Sequence, residues 1–175
     1  MKPFKKLSLA VVLMSLILQQ ACNDKKDDIT PIALLALAGA PSSSATQGPL
    51  PQPALDTAIM VLNGTNLVLT NRFSCTTGTT GIGFAMVDTD NLPTLFIHNI
   101  NFALQSGISV GPGGSVLDID VPGGLLNPSQ NCKASIRENT TTVYDLEVTS
   151  CPMQGTLGNP NPAAASVSFR VRCAK

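Results

Sequence analysis

The sequence contains no tryptophan, a single tyrosine (Tyr144) and a single histidine (His98), and only 13% of its residues are charged. One histidine leaves little material for the acid–base or metal chemistry in which imidazole usually takes part. No Cys-x-x-Cys pair occurs, and His98 is far in sequence from every cysteine, so the spacing of a zinc site is missing. No apolar run reaches the ~20 residues that a membrane-spanning helix needs. The 11 Lys and Arg residues balance 11 Asp and Glu, and no basic stripe is present, which argues against a nucleic-acid partner. The chain is instead rich in Thr, Ser, Asn and Gly, a composition common in extracytoplasmic β proteins.

The first stretch, "MKPFKKLSLAVVLMSLILQQAC", has a different character. Lys2, Lys5 and Lys6 make a basic start, and Leu7 to Leu18 is apolar apart from Ser8 and Ser15. A charged n-region before an apolar segment of this length reads as an export signal, residues 1–21, and not as part of the mature fold. Its loss removes three lysines and leaves 8 basic and 11 acidic residues, a net charge of −3. That balance also argues against a patch for anionic lipids.

Ala21 directly before Cys22, at the end of the apolar run, resembles the lipobox of bacterial lipoproteins. The polar "NDKKDD" and the Leu/Ala-rich "ITPIALLALAGA" that follow look like short spirochaetal lipoproteins of the leptospiral type. Gln19 stands where the family usually has Leu, with Leu18 one place earlier, and leptospiral lipoboxes are relaxed in this way. The resemblance covers about the first forty residues. It implies that the Cys22 thiol receives a diacylglycerol, that the signal is cleaved before it, and that the acylated cysteine becomes the N-terminus. Two or more acyl chains hold a protein stably on a bilayer without any protein insertion. The implied location is the bacterial cell envelope, lipid-anchored at the outer membrane on either its surface or its periplasmic face. Asn23 is not the Asp that retains some lipoproteins at the inner membrane.

Residues 22–56 read as the lipidated N-terminus and a tether. Within them 29–40 are apolar and could form a short helix from Pro31, on the membrane or on the domain. The segment 41–56 is Pro/Ser/Gln-rich, without periodicity, and reads as a flexible linker. A tether of this length reaches about 30 Å.

Residues 57–175 switch to period 2 and are expected to form one all-β domain, an antiparallel sandwich or small barrel of about eight strands. The expected strands are "TAIMVLN", "NLVLTNRFSC", "GIGFAMVD", "TLFIHNINFAL", "SVLDIDV", "KASIREN", "TVYDLEVTS" and "ASVSFRVRC". A turn at Gly64-Thr65 joins the first two. In the fourth, alternation assigns Phe96, His98, Ile100, Phe102 and Leu104 to the inner face. In the last, Val167, Phe169, Val171 and Cys173 point inward, with Arg170 and Arg172 outward.

With Cys22 acylated, Cys75, Cys132, Cys151 and Cys173 remain, an even number that suggests two disulfides in an exported chain. Cys75 shares strand parity with Leu67, Leu69 and Phe73, and Cys173 with Val167, Phe169 and Val171. Cys132 and Cys151 flank one expected hairpin. Parity therefore favours Cys75–Cys173 and Cys132–Cys151 among three possible pairings. Cys151 is out of phase with Tyr144, Leu146 and Val148, which requires a bulge.

Motifs that suggest chemistry lack their context. "GISVG" places Ser109 in a nucleophile pattern, but "PGG" follows where a helix is needed, and His98 precedes the serine. "GTTGIG" at 78–83 opens a strand and so is not a phosphate loop. His98 reads as a core or edge histidine with a hydrogen-bond partner. Asp88 and Asp90 could offer calcium oxygens, yet a simple turn fits them better, and Asp118 and Asp120 fall on a solvated strand face. No catalytic residue, cofactor or metal ligand is assigned. The expectation is a non-catalytic, lipid-anchored envelope protein that presents a β domain for surface interaction or adhesion. Its contacts would be the membrane, through its lipid, and a protein partner through the loops 76–83, 105–115 and 152–164. The alternative is a periplasmic binding module, such as an inhibitor of an envelope-degrading enzyme or an assembly factor.

Overall fold

A computed structural model describes residues 48–87 and 90–175. Eleven strands make up the described fold: β1 (Thr57–Leu62), β2 (Thr65–Leu69), β3 (Asn71–Cys75), β4 (Ile82–Ala85), β5 (Thr94–Ile97), β6 (Ile108–Val110), β7 (Leu117–Val121), β8 (Gly124–Pro128), β9 (Cys132–Asn139), β10 (Val143–Leu157) and β11 (Ala165–Ala174). All strand pairings are antiparallel, in the order β2-β1-β11-β10-β8-β7-β5-β4-β3, with β9 also on β10 and β6 on β9. The all-β expectation is met. The strand number is larger than expected for reasons that lie in particular residues.

β10 serves two layers. Its first half, Tyr144 to Val148, pairs with β9, and its second half, from Met153, pairs with β8. β11 runs along its other edge. Between the halves the register shifts, Ser150 takes a φ of 51°, and its N–H donates to Ser168 Oγ at 2.8 Å. This bulge turns Cys151 into the core. One layer is thus β2, β1, β11, the start of β10, β9 and β6. The other is the end of β10, β8, β7, β5, β4 and β3. Between them pack Met60, Leu69, Leu146, Phe169 and Val171 from the first layer, with Phe84, Leu95, Ile97, Leu117 and Ile119 from the second.

Two disulfides lie in this core: Cys75 of β3 bonds Cys173 of β11 across the layers, and Cys132 of β9 bonds Cys151 at the bend of the neighbouring β10. These are the pairs that strand parity favours. The first links the last strand of the second layer to the middle of the first, and Arg72 Nη1 donates to Ala174 O beside it.

Several expectations are corrected. The first hairpin turns at Asn63-Gly64, both with positive φ, and not at Gly64-Thr65; this is the pair that a two-residue turn matched to strand twist requires. "NLVLTNRFSC" is two strands, because the chain changes layer at Thr70. A register shift between Arg72 and Ser74 turns Phe73 outward, where 54% of it is exposed. β5 ends at Ile97, and Asn99 at φ 59° reverses the chain. Its inner residues are Leu95 and Ile97, so the phase expected for Phe96 and His98 is inverted; Ile100 is buried only after the turn. β6 lies within the expected loop 105–115, the end of β10 within 152–164, and β8 in a segment assigned no strand.

Residues 48–56, expected in the linker, pack against the domain: Leu50 and Pro53 are buried. Asp56 accepts from Ala174 N–H at 2.9 Å and pairs with Arg72 at 3.2 Å. The expected helix at 29–40, together with Cys22 and Asp88, lies outside the described residues.

Two predictions follow from the core. Loop-closure entropy grows with loop length, so the two disulfides, with sequence separations of 98 and 19, differ in weight. Cys75→Ser/Cys173→Ser is expected to lower the unfolding free energy by about 4–5 kcal/mol and Cys132→Ser/Cys151→Ser by about 3 kcal/mol. Urea unfolding measures both, and the reverse ranking would contradict loop entropy as the cause. The second concerns Tyr144, whose buried hydroxyl has no hydrogen-bond partner among the described residues. Burial pushes its pKa from 10.0 up to about 12. The unfolded chain releases this proton near 10 and the folded chain near 12, so stability is full below 10 and falls as pH rises through that window. Tyr144→Phe should abolish this alkaline loss. Tyrosinate absorbance reports it cleanly, because the chain has one tyrosine and no tryptophan.

Candidate functional site

The outer faces of the two layers differ in kind. On the first layer, β10 alternation sends Tyr144, Leu146 and Val148 inward and Asp145 and Glu147 outward, yet both carboxylates are buried. Arg170 of β11 stands across from Glu147, diagonal to Asp145. It donates to both Asp145 oxygens at 2.8 Å, through Nε and Nη2. These bonds raise the Arg170 pKa, against the desolvation that lowers it. Its Nη1 donates to Leu50 O at 3.0 Å, and Leu50 N–H donates to Glu147 Oε1 at 2.6 Å. Arg137 Nε completes the set on Glu147 Oε2 at 2.6 Å. The irregular segment that leads into β1 is therefore clamped by its own backbone to a buried charge network.

The second layer presents an open face. Register carries one row across it: Gln154 on β10 opposite Asn127 on β8, Asp118 on β7 opposite Phe96 on β5, and Phe96 opposite Gly83 on β4. Asn127 Nδ2 donates to Asp118 Oδ1, which joins the two halves of the row. Gly83 is open to the Phe73 and Phe96 rings; a Cβ there would lie 2.2 Å from Phe73 Cε2. The two rings stack with centroids 5.4 Å apart and planes at 28°. His98 meets the Phe96 ring edge-on at 4.0 Å. Beside this row, Thr94 Oγ1 donates to Asp120 Oδ2 at 2.7 Å, and Thr156 bonds Asn127 Oδ1.

His98 is half-buried at the end of the row. Its Nε2 lies 2.9 Å from Asp118 Oδ2 and its Nδ1 3.1 Å from Thr79 O. Both partners accept, so a neutral ring donates to one of them and an imidazolium to both. The bond to Thr79 fixes the 76–81 loop against β7, and Gly78 N–H on Ile100 O and Asn99 N–H on Gly78 O close it. His98 is thus a hydrogen-bonded edge histidine, and Asp118 is half-buried rather than freely solvated.

The remaining sequence candidates do not converge. Ser109 sits exposed on β6 opposite Lys133, and His98 bonds Asp118 and Thr79. Asp90 lies in a turn with φ 50°. No group of three His, Cys, Asp or Glu residues gathers among the described residues. The residues missed from sequence are Phe73, Phe96, Asn127 and Gln154. Gly83 across from Phe96 was the available signal, since a glycine in a strand often marks a place where another group approaches closely. No family model, characterised protein or solved structure matches the chain.

The clamp yields a prediction. A hydrogen bond to a charged group contributes about 1.5–3 kcal/mol. Glu147→Ala should therefore speed amide exchange at Leu50 by about 10- to 100-fold, with β4 and β7 amides unchanged. Asp145→Ala strands a largely buried guanidinium and should lower stability by about 3–5 kcal/mol.

Proposed function

We propose that this chain is a non-catalytic, lipid-anchored protein of the bacterial cell envelope, held at the outer membrane through Cys22, that presents its β domain for surface interaction or adhesion. The observation that carries the reading is the cysteine arithmetic. Cys75, Cys132, Cys151 and Cys173 bond one another, which leaves the Cys22 thiol for acylation after an export signal. The clamp on Leu50 supports it further. A tether that enters the domain through buried ion pairs transmits load to β10 and β11 and spares the edges of the sheets.

Cys22→Ser should move the protein from the membrane to the soluble fraction, and its retention in the membrane would disprove lipid anchoring. Protease treatment of intact cells should remove the domain. Full protection of a membrane-anchored form would favour the periplasmic reading, an inhibitor or assembly module, over adhesion.

A further inference from the structure

We propose that the outer face of the second layer binds a neutral polysaccharide, which lies across the strands along the row Gln154, Asn127, Asp118, Phe96 and Phe73. This names a ligand class for the surface-interaction reading above and rests on it.

The first argument is shape and polarity. The row crosses β10, β8, β7, β5 and β4, four strand spacings at about 4.8 Å or about 19 Å, the length of several sugar rings. At one end Phe73 and Phe96 form an aromatic platform that lies flat because Gly83 beneath it has no side chain. Phe73 is half-exposed although it shares strand parity with buried Cys75, and the bulge at 72–74 is what turns it outward. The C–H groups of a pyranose face carry small positive charges and pack on the negative face of an aromatic ring. At the other end are planar amides and carboxylates. Gln154 has no side-chain partner among the described residues, and Asp120 offers a second oxygen beyond the one that takes the Thr94 hydrogen. Hydroxyl groups, which both donate and accept, match this mixture.

The second argument is charge. The described cations are Arg72, Lys133, Arg137, Arg170, Arg172 and Lys175. Arg72 turns to Asp56 and Ala174, and the others belong to β9, β11 and the C-terminus, away from this face. An anionic ligand would meet Asp118 and Asp120 with no Lys or Arg to offset them, at a large desolvation cost. A basic peptide would find Asp118 already engaged on both oxygens, by His98 and by Asn127. Carboxylates wired into a side-chain network serve as oriented acceptors for hydroxyls. A neutral glycan is the class that uses the platform and the amides together.

The test is native affinity electrophoresis of the full chain carrying Cys22→Ser, in gels cast with glycogen, mannan, galactomannan or hydroxyethylcellulose. A heparin gel and immobilised polylysine serve as charged comparisons. Slowed migration is expected in at least one neutral gel and not in heparin. Phe73→Ala and Gln154→Ala, both at exposed positions, should each weaken it about tenfold. Gly83→Val, which forces the Phe73 ring off its seat, should do the same, and thermal unfolding checks that each variant is folded. Unchanged migration in all four neutral gels, binding to heparin or polylysine alone, or retardation that survives both Phe73→Ala and Gln154→Ala would overturn the proposal. Each of these outcomes is independent of whether Cys22 anchors the protein, which fractionation decides separately.

Discussion

The fold depends on the bend in β10. A fifteen-residue strand that stayed straight would keep one partner along each edge. The bulge at Ser150 lets one edge pair first with β9 and then with β8, so the same strand closes both layers. The unpaired amide that a bulge leaves is satisfied by the Ser168 hydroxyl, itself buried on β11. Cys151 lies at the bend, and its bond to Cys132 ties the start of β9 to the point where β8 and β9 separate. The layer division, the core and the two outer faces all follow from this one irregularity.

The outer faces are finished in opposite ways. The first layer buries carboxylates and an arginine beneath the lead-in segment. A buried ion pair contributes little net stability relative to apolar packing, and losing one partner is costly. Its effect here is specificity: Leu50 is held by its N–H and its C=O, so position and direction of the entering chain are both set. The second layer leaves its side chains open, with an aromatic platform on a glycine and a connected row of Asp, Asn and Thr. One face is covered by the lead-in segment, and the other leaves its side chains exposed.

Much of the fold was legible from local pattern. β7 and β11 show clean alternation, and Val167, Phe169, Val171 and Cys173 are buried as period 2 requires. The need for a bulge before Cys151 could be read from its parity alone. Errors arose where a single backbone dihedral or a change of partner breaks the period. Asn99 ends β5 inside an apolar run that continues to alternate on paper, and the Phe73 bulge inverts a strand end. The candidate site was largely invisible for the same reason, since Phe96 was assigned to the core.

The sequence by itself determined the class of fold and the even set of four cysteines that pair within the domain. These are properties of short windows, where side-chain period and charge order act without distant contacts. Only the tertiary structure decided which strands share an edge, that residues 48–56 belong to the domain, and that Phe73, Phe96, Asp118, Asn127 and Gln154 form one row. Those five residues come from five strands spread over more than eighty positions. No local preference encodes their alignment; it is set by registers that the β10 bend and the two disulfides fix together.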